Sequence, residues 1–204
     1  MKTKTILLTL TTLFAAAESG DAQTAPNDKK VLVAYFSHSG NTRAVAERIA
    51  AATGADLFEI VPQKPYPAEY RAVVDQARRE IAADYRPALK TDLPDAGRYD
   101  VIYIGSPCWW HQPAMVVCTF LEAYDLKDKV IVPFITYGAT TYLNESMQKI
   151  YKLTPDSKHI PETLPEDLDP EDITTPDRPD DAGIDMPGNA NGTEAWLKRI
   201  GIIE

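Results

Sequence analysis

The chain has 204 residues, with 21 Lys+Arg against 30 Asp+Glu and a formal net charge of −9 at pH 7. Its 44% hydrophobic and 25% charged content is that of a folded globular chain, not a disordered or fibrous one. The acidic balance argues against a nucleic-acid binder, whose affinity rests on clustered Lys and Arg. Two cysteines are too few to staple a fold of this length, so a hydrophobic core must hold it together.

The N-terminus reads as a leader. Lys2 and Lys4 form a basic start, Ile6 to Ala17 is an uncharged apolar run, and Gly20 and Ala22 put small residues three and one before Gln23. That is the pattern of a secretory signal cleaved after Ala22. The run is shorter than the roughly 20 residues a spanning helix needs, and no cysteine follows for a lipid anchor. The expectation is an exported protein, periplasmic in a bacterium and not inserted in the membrane after cleavage. Residues 1–22 are then the signal peptide, 23–29 a linker and 30–204 one domain.

From Lys29 onward, short apolar runs alternate with helical patterns. Val31–Phe36 is a continuous apolar run, as expected of a strand buried on both faces. Thr42–Thr53 places Val45, Ala46, Ile49 and Ala50 on one helical face, and Gly54 stops it. Leu57–Val61 is a second strand, ended by Pro62, Pro65 and Pro67. Glu69–Asp84 is a helix whose buried stripe is expected at Tyr70, Val74, Ala77 and Ile81. Tyr99–Gly105 and Val130–Thr136 are the third and fourth strands, with a helix over Met115–Tyr124 between them. A helix over Leu143–Leu153, a fifth strand over Lys158–Leu164 at an edge because of Pro161, and a closing helix over Thr193–Ile200 complete the pattern. Such alternation implies an α/β fold: a doubly wound three-layer sandwich around a five-stranded parallel sheet. An acidic, proline-rich loop over 161–187 interrupts it. Between Pro161 and Asp181 stand five prolines, nine acids and one base, Arg178, which suits neither a helix nor a central strand.

The turn after the first strand, Ser37-His38-Ser39-Gly40-Asn41-Thr42, carries the first chemical signal. Gly40 lets successive N–H groups face one concavity, Ser37, Ser39 and Thr42 add hydroxyls, and Thr42 stands at a helix start whose dipole favours an anion. This is a phosphate cradle without a cation, though the same residues also suit an ordinary helix cap. No Gly-Lys-Ser/Thr triplet follows, which excludes a Walker loop, and no two glycines stand two apart, which excludes the dinucleotide fingerprint. A mononucleotide remains. The loop after the third strand, Gly105-Ser106-Pro107-Cys108-Trp109-Trp110-His111-Gln112-Pro113, sets paired tryptophans where a polar loop is usual, and a flat aromatic there can stack on a flat ligand. Thr136-Tyr137-Gly138-Ala139-Thr140 leaves the fourth strand at the same sheet edge.

On these residues the chain resembles the flavodoxins, and among them proteins with Ser-x-Ser-Gly-Asn-Thr, Pro-x-Trp-Trp and Thr-Tyr/His-Gly loops. The resemblance runs from Val31 to Leu153 and includes the Trp196-Leu197 helix. It implies strand order 2-1-3-4-5 with FMN between the first and third strands. Ser37, His38, Ser39, Gly40, Asn41 and Thr42 would bind the phosphate. Trp109 would stack on the ring, with Ser106, Pro107, Cys108 and Trp110 in the same loop, while Thr136, Tyr137 and Gly138 line the other edge. Pro65-Tyr66-Pro67 also matches the subgroup, with no role apparent from sequence. The third loop is poorer in glycine and serine than usual for the family, and the acidic segment is an addition to its pattern.

The implied function is single-electron transfer between redox partners; the charge of the acidic segment suits either the steering of a basic partner or a solvated linker to the final helix. Two alternatives stand beside it: an FMN-dependent NAD(P)H:quinone-type reductase, for which no second nucleotide motif is visible, and a flavin-free binding module. Phosphatase chemistry fails because a Cys-x5-Arg loop would need arginine where Ala114 and Tyr124 stand. Three scattered histidines show no metal spacing. Asp167, Asp169 and Glu171 suggest a calcium loop, but Asp172 occupies the position of its glycine. Cys108 and Cys118 are read as free thiols, the second buried.

Overall fold

The computed structural model describes residues 29–137, 143–160, 193–200 and 202. The expected leader, most of the linker, Gly138 and the acidic stretch lie outside the described residues. The order is β1 (Val31–Tyr35), α1 (Asn41–Thr53), β2 (Asp56–Glu59), α2 (Tyr70–Ala82), β3 (Val101–Trp109), β4 (Gln112–Pro113), α3 (Met115–Ala123), β5 (Val130–Thr136), α4 (Leu143–Leu153), β6 (Lys158–His159) and α5 (Thr193–Arg199). Strands β2-β1-β3-β5-β6 form one parallel sheet in that order. The expected order 2-1-3-4-5 is recovered once the two-residue β4, which only pairs back on the end of β3, is set aside.

Strand side chains alternate between two cores, as the pleat requires. Leu32, Ala34, Ile102, Ile104, Ile131 and Ile135 pack with Val73 of α2, Val117 and Phe120 of α3, and Met147 and Ile150 of α4. Val33, Tyr35, Tyr103, Val132 and Phe134 face the other way, onto Val45, Ala46 and Ile49 of α1 and Trp196 and Leu197 of α5. The sheet is thus covered on both faces, which explains why its strands read as unbroken apolar runs. Pro133 is tolerated within β5 because, among the described residues, the flank of β5 away from β3 is paired only at Val130 and Ile131.

Three elements differ from expectation. β3 runs on to Trp109 instead of stopping at Gly105, because its end becomes the first arm of a hairpin. β6 is described only as Lys158–His159, paired with the start of β5. The buried stripe of α2 is Val73, Ala77 and Glu80: Ala77 is as expected, but Val73 and Glu80 replace Tyr70, Val74 and Ile81, and Tyr70 is 61% exposed. The helix is rolled because Glu80 has a partner beneath it: the Tyr66 hydroxyl donates to its Oε2 at 2.7 Å. Glu69 caps the helix, accepting from the Arg71 and Ala72 N–H groups.

Candidate functional site

The chain leaves β1 for β2 on one side of the sheet and returns as β3 on the other, so the β1 and β3 loops diverge and open a crevice at the carboxyl end of the strands. Two bonds fix how the loops meet. The Phe36 N–H donates to the Gly105 carbonyl at 3.0 Å, joining the first loop to the second. The Thr42 and Thr136 hydroxyls lie 2.8 Å apart in a hydrogen bond, joining the first loop to the third. The convergence expected from the sequence is therefore present.

Within the first loop, Gly40 takes φ +98°, a left-handed conformation in which it serves as the N-cap of α1. Its N–H donates to Ser37 Oγ at 3.1 Å, which closes the turn. Having no side chain, Gly40 cannot cap the helix, and the first turn of α1 carries no acidic residue. The dipole at the start of this thirteen-residue helix therefore favours an anion there. Thr42 is buried at 1% exposure, while His38 and Ser39 are exposed. The nearest arginine in sequence, Arg43, pairs with Glu59 of β2, so the cradle keeps its dipolar character. His38 reaches sideways: its Nε2 lies 2.8 Å from the Pro67 carbonyl, and because a carbonyl only accepts, Nε2 carries the proton.

In the second loop, β3 and β4 form a two-residue hairpin, with Cys108 opposite Pro113 and Trp109 opposite Gln112. Its tip, Trp110 and His111, has φ of 48° and 67°. Positive φ at both tip residues is the turn that normally asks for Asn-Gly, and bulky residues there are strained. Tethers on both sides hold them. The Trp110 indole N–H donates to the Val74 carbonyl of α2 at 3.1 Å, and the Arg78 guanidinium lies 5.2 Å from its ring centre. His111 Nδ1 lies 3.4 Å from Glu145 of α4.

Trp109 occupies different surroundings. Its half-buried ring meets Phe36 at 5.6 Å, His38 at 5.8 Å and Tyr66 at 5.0 Å, all near perpendicular. Trp109 thus stands beside the phosphate-type loop, whereas Trp110 is committed to α2. Ser106 is fully buried, and its hydroxyl both accepts from the Ala114 N–H and donates to the Pro107 carbonyl. It shapes the loop. Cys108 accepts a weak bond from the Ser146 hydroxyl at 3.4 Å; burial pushes its thiol up, and that bond pulls it down. Cys118 is fully buried, which pushes its thiol to about 11. Neither cysteine forms a disulfide. Tyr137 is partly buried and packs against the same core as α2, α3 and α4.

Sequence reading missed Phe36 and Tyr66, whose rings pack against Trp109. Only the Pro65-Tyr66-Pro67 match hinted at one of them. Among the described residues no cluster of His, Cys, Asp or Glu could hold a metal, and no helix is long and apolar enough to cross a membrane.

A sequence profile described as flavodoxin matches residues 30–172. The chain belongs to the flavodoxin family. A protein assigned as a flavoprotein from Bacteroides eggerthii DSM 20697 is 30% identical over 85% of this chain and 98% of its own, with a TM-score of 0.64. Another such protein, from Bacteroides uniformis ATCC 8492, is 32% identical over 64% of this chain and 86% of its own, TM-score 0.59. A flavoprotein from Lactobacillus acidophilus NCFM, solved in complex with FMN, is 28% identical over 65% of this chain and 90% of its own, TM-score 0.57. No protein of curated function matches the chain.

Proposed function

We propose that this member of the flavodoxin family binds FMN in the β1–β3 crevice and carries electrons singly between redox partners. The observation that carries the reading is the joining of three loops at the carboxyl end of β1, β3 and β5, with the N-terminus of α1 and the Trp109 ring both beside the first of them. Family membership and the FMN complex of the Lactobacillus acidophilus protein support it.

Residues Ser37 to Thr42 would hold the phosphate through N–H groups and hydroxyls, and Trp109 would stack on the ring. Bound FMN supplies the redox chemistry. The chain's contribution is electrostatic and steric. Arg43, the nearest arginine in sequence, is tied to Glu59 instead of offsetting the charge of the phosphate, so further negative charge beside it would be disfavoured. Trp109 and Tyr66 exclude water from one side of the crevice, which strengthens that effect. The reading extends to an exported location, from the N-terminal pattern, and to a basic redox partner steered by the acidic stretch.

Kinetics separate an electron carrier from a reductase. The FMN-loaded protein should reduce a basic cytochrome after photochemical reduction, with a rate that falls as salt rises, and should not oxidise NAD(P)H in the presence of quinone. Steady NAD(P)H:quinone turnover would contradict the carrier reading.

A further inference from the structure

The Pro65-Tyr66-Pro67 segment sits at a junction that the fold alone does not require. The ring of Tyr66 packs edge-on against Trp109 with centroids 5.0 Å apart and against Phe36 at 5.4 Å. Pro67 offers its carbonyl to His38 in the phosphate-type loop. The Tyr66 hydroxyl donates to Glu80 Oε2 at 2.7 Å, and the Gln76 side-chain amide donates to Glu80 Oε1 at 2.8 Å. Glu80 is only 7% exposed, and among the described residues no cation lies within ion-pair distance of it.

A buried carboxylate without a cation is costly, and an apolar residue at this position of α2 would pack more cheaply. What Glu80 provides is a strong acceptor for a tyrosine hydroxyl, which fixes the tyrosine ring. That ring in turn forms one wall of the Trp109 site. A phenylalanine at 66 could fill the same volume but would be free to rock.

We propose that Glu80 is a positioning residue: by accepting from Tyr66 it holds Trp109 in the orientation that receives the flavin. The inference rests on the FMN reading for its purpose, though not for its test in the cofactor-free protein. Glu80 acts as an acceptor, so Glu80→Gln should preserve the arrangement, whereas Glu80→Met and Tyr66→Phe should release it.

The experiment uses the full chain in two forms. In the apo-protein, 1H–15N spectra resolve the indole N–H signals of Trp109, Trp110 and Trp196. Tyr66→Phe and Glu80→Met should shift and broaden the Trp109 signal and leave Trp196 unmoved, and Glu80→Gln should resemble wild type. Titration with FMN should then show affinity about tenfold weaker in the first two variants, with brighter emission from the bound flavin, and near-wild-type behaviour in Glu80→Gln. If Glu80→Met fails to fold, Tyr66→Phe carries the test. A Trp109 signal unmoved in Tyr66→Phe overturns the inference, and so does Glu80→Gln behaving like Glu80→Met. Should wild type take no FMN while the Trp109 signals respond as expected, the positioning role stands and the FMN reading fails.

Discussion

Gly105 is the narrowest point of the site's scaffold, and adding one methyl there is a demanding test. It lies in β3 between Tyr35 of β1 and Phe134 of β5. A Cβ built on it would stand 2.2 Å from Phe134 Cζ, 2.6 Å from Phe134 Cε2 and 2.8 Å from Tyr35 Cβ. Carbon atoms pack at about 3.5–4.0 Å, so more than an ångström must be found. Phe134 is 1% exposed and wedged among Val33, Tyr35 and Trp196, and the Tyr35 Cβ is fixed to its own strand. Overpacking of this kind costs about 1–3 kcal/mol, and an off-rotamer Phe134 adds about 0.5–1.5. Replacing a strand glycine returns about 0.5–1 kcal/mol of backbone entropy. Gly105→Ala should therefore destabilise by roughly 0.5–4 kcal/mol, centred on about 2, read as a lower urea midpoint with an unchanged slope. Because the Gly105 carbonyl also accepts from Phe36 N–H, FMN affinity should fall with it. A loss under about 0.5 kcal/mol, the level of an ordinary surface change, would refute the idea that close contact at Gly105 sets the β1–β3 spacing.

Thr42→Val removes one hydroxyl from the cradle and strands Thr136. It should lower FMN affinity by about 1.5–3 kcal/mol, at least tenfold, and calorimetric titration equal to wild type would count against the cradle. Trp109→Ala should brighten the emission of bound FMN while Trp110→Ala leaves it quenched; the reverse result would exchange their roles. His159 stacks on Tyr151 at 3.9 Å and bonds to Thr154 at 2.8 Å, and burial lowers its pKa. The unfolded chain then binds this proton more readily, so the contribution of His159 is complete above the unfolded value of about 6.5 and is lost as pH falls below it. Thermal melts from pH 7.5 to 5 should drop less steeply for His159→Phe than for wild type, and equal slopes would remove His159 from the account. Neutralising Glu166, Asp167, Asp169, Glu171 and Asp172 should slow reduction of a basic cytochrome at low salt and flatten its salt dependence; unchanged rates at both salt levels would leave that stretch a linker.

What the sequence disclosed, and what it hid, follows from which interactions are local. Val130–Thr136 and Leu143–Leu153 were legible to the residue because an apolar run and a helical period are written in consecutive positions. The phosphate-type turn was legible for the same reason: Gly40, the hydroxyls and the start of α1 are neighbours in the chain. The hairpin was hidden because Trp110 and His111 adopt positive φ against their own preference, held by Val74, Arg78 and Glu145 from distant segments. The roll of α2 was hidden likewise. A glutamate in a helix reads as solvent-facing until Tyr66, fourteen residues earlier, turns it inward. The loops that carry the candidate site were thus readable, and the long-range contacts that join them to α2 and α4 were not.

Direct titration of the cofactor-free protein shows most plainly whether the β1–β3 crevice binds FMN. Adding apo-protein to FMN should quench the flavin emission to a sharp end point at one FMN per chain, with Trp109→Ala abolishing most of the quench. Emission that stays at the level of free FMN throughout the titration would contradict the account.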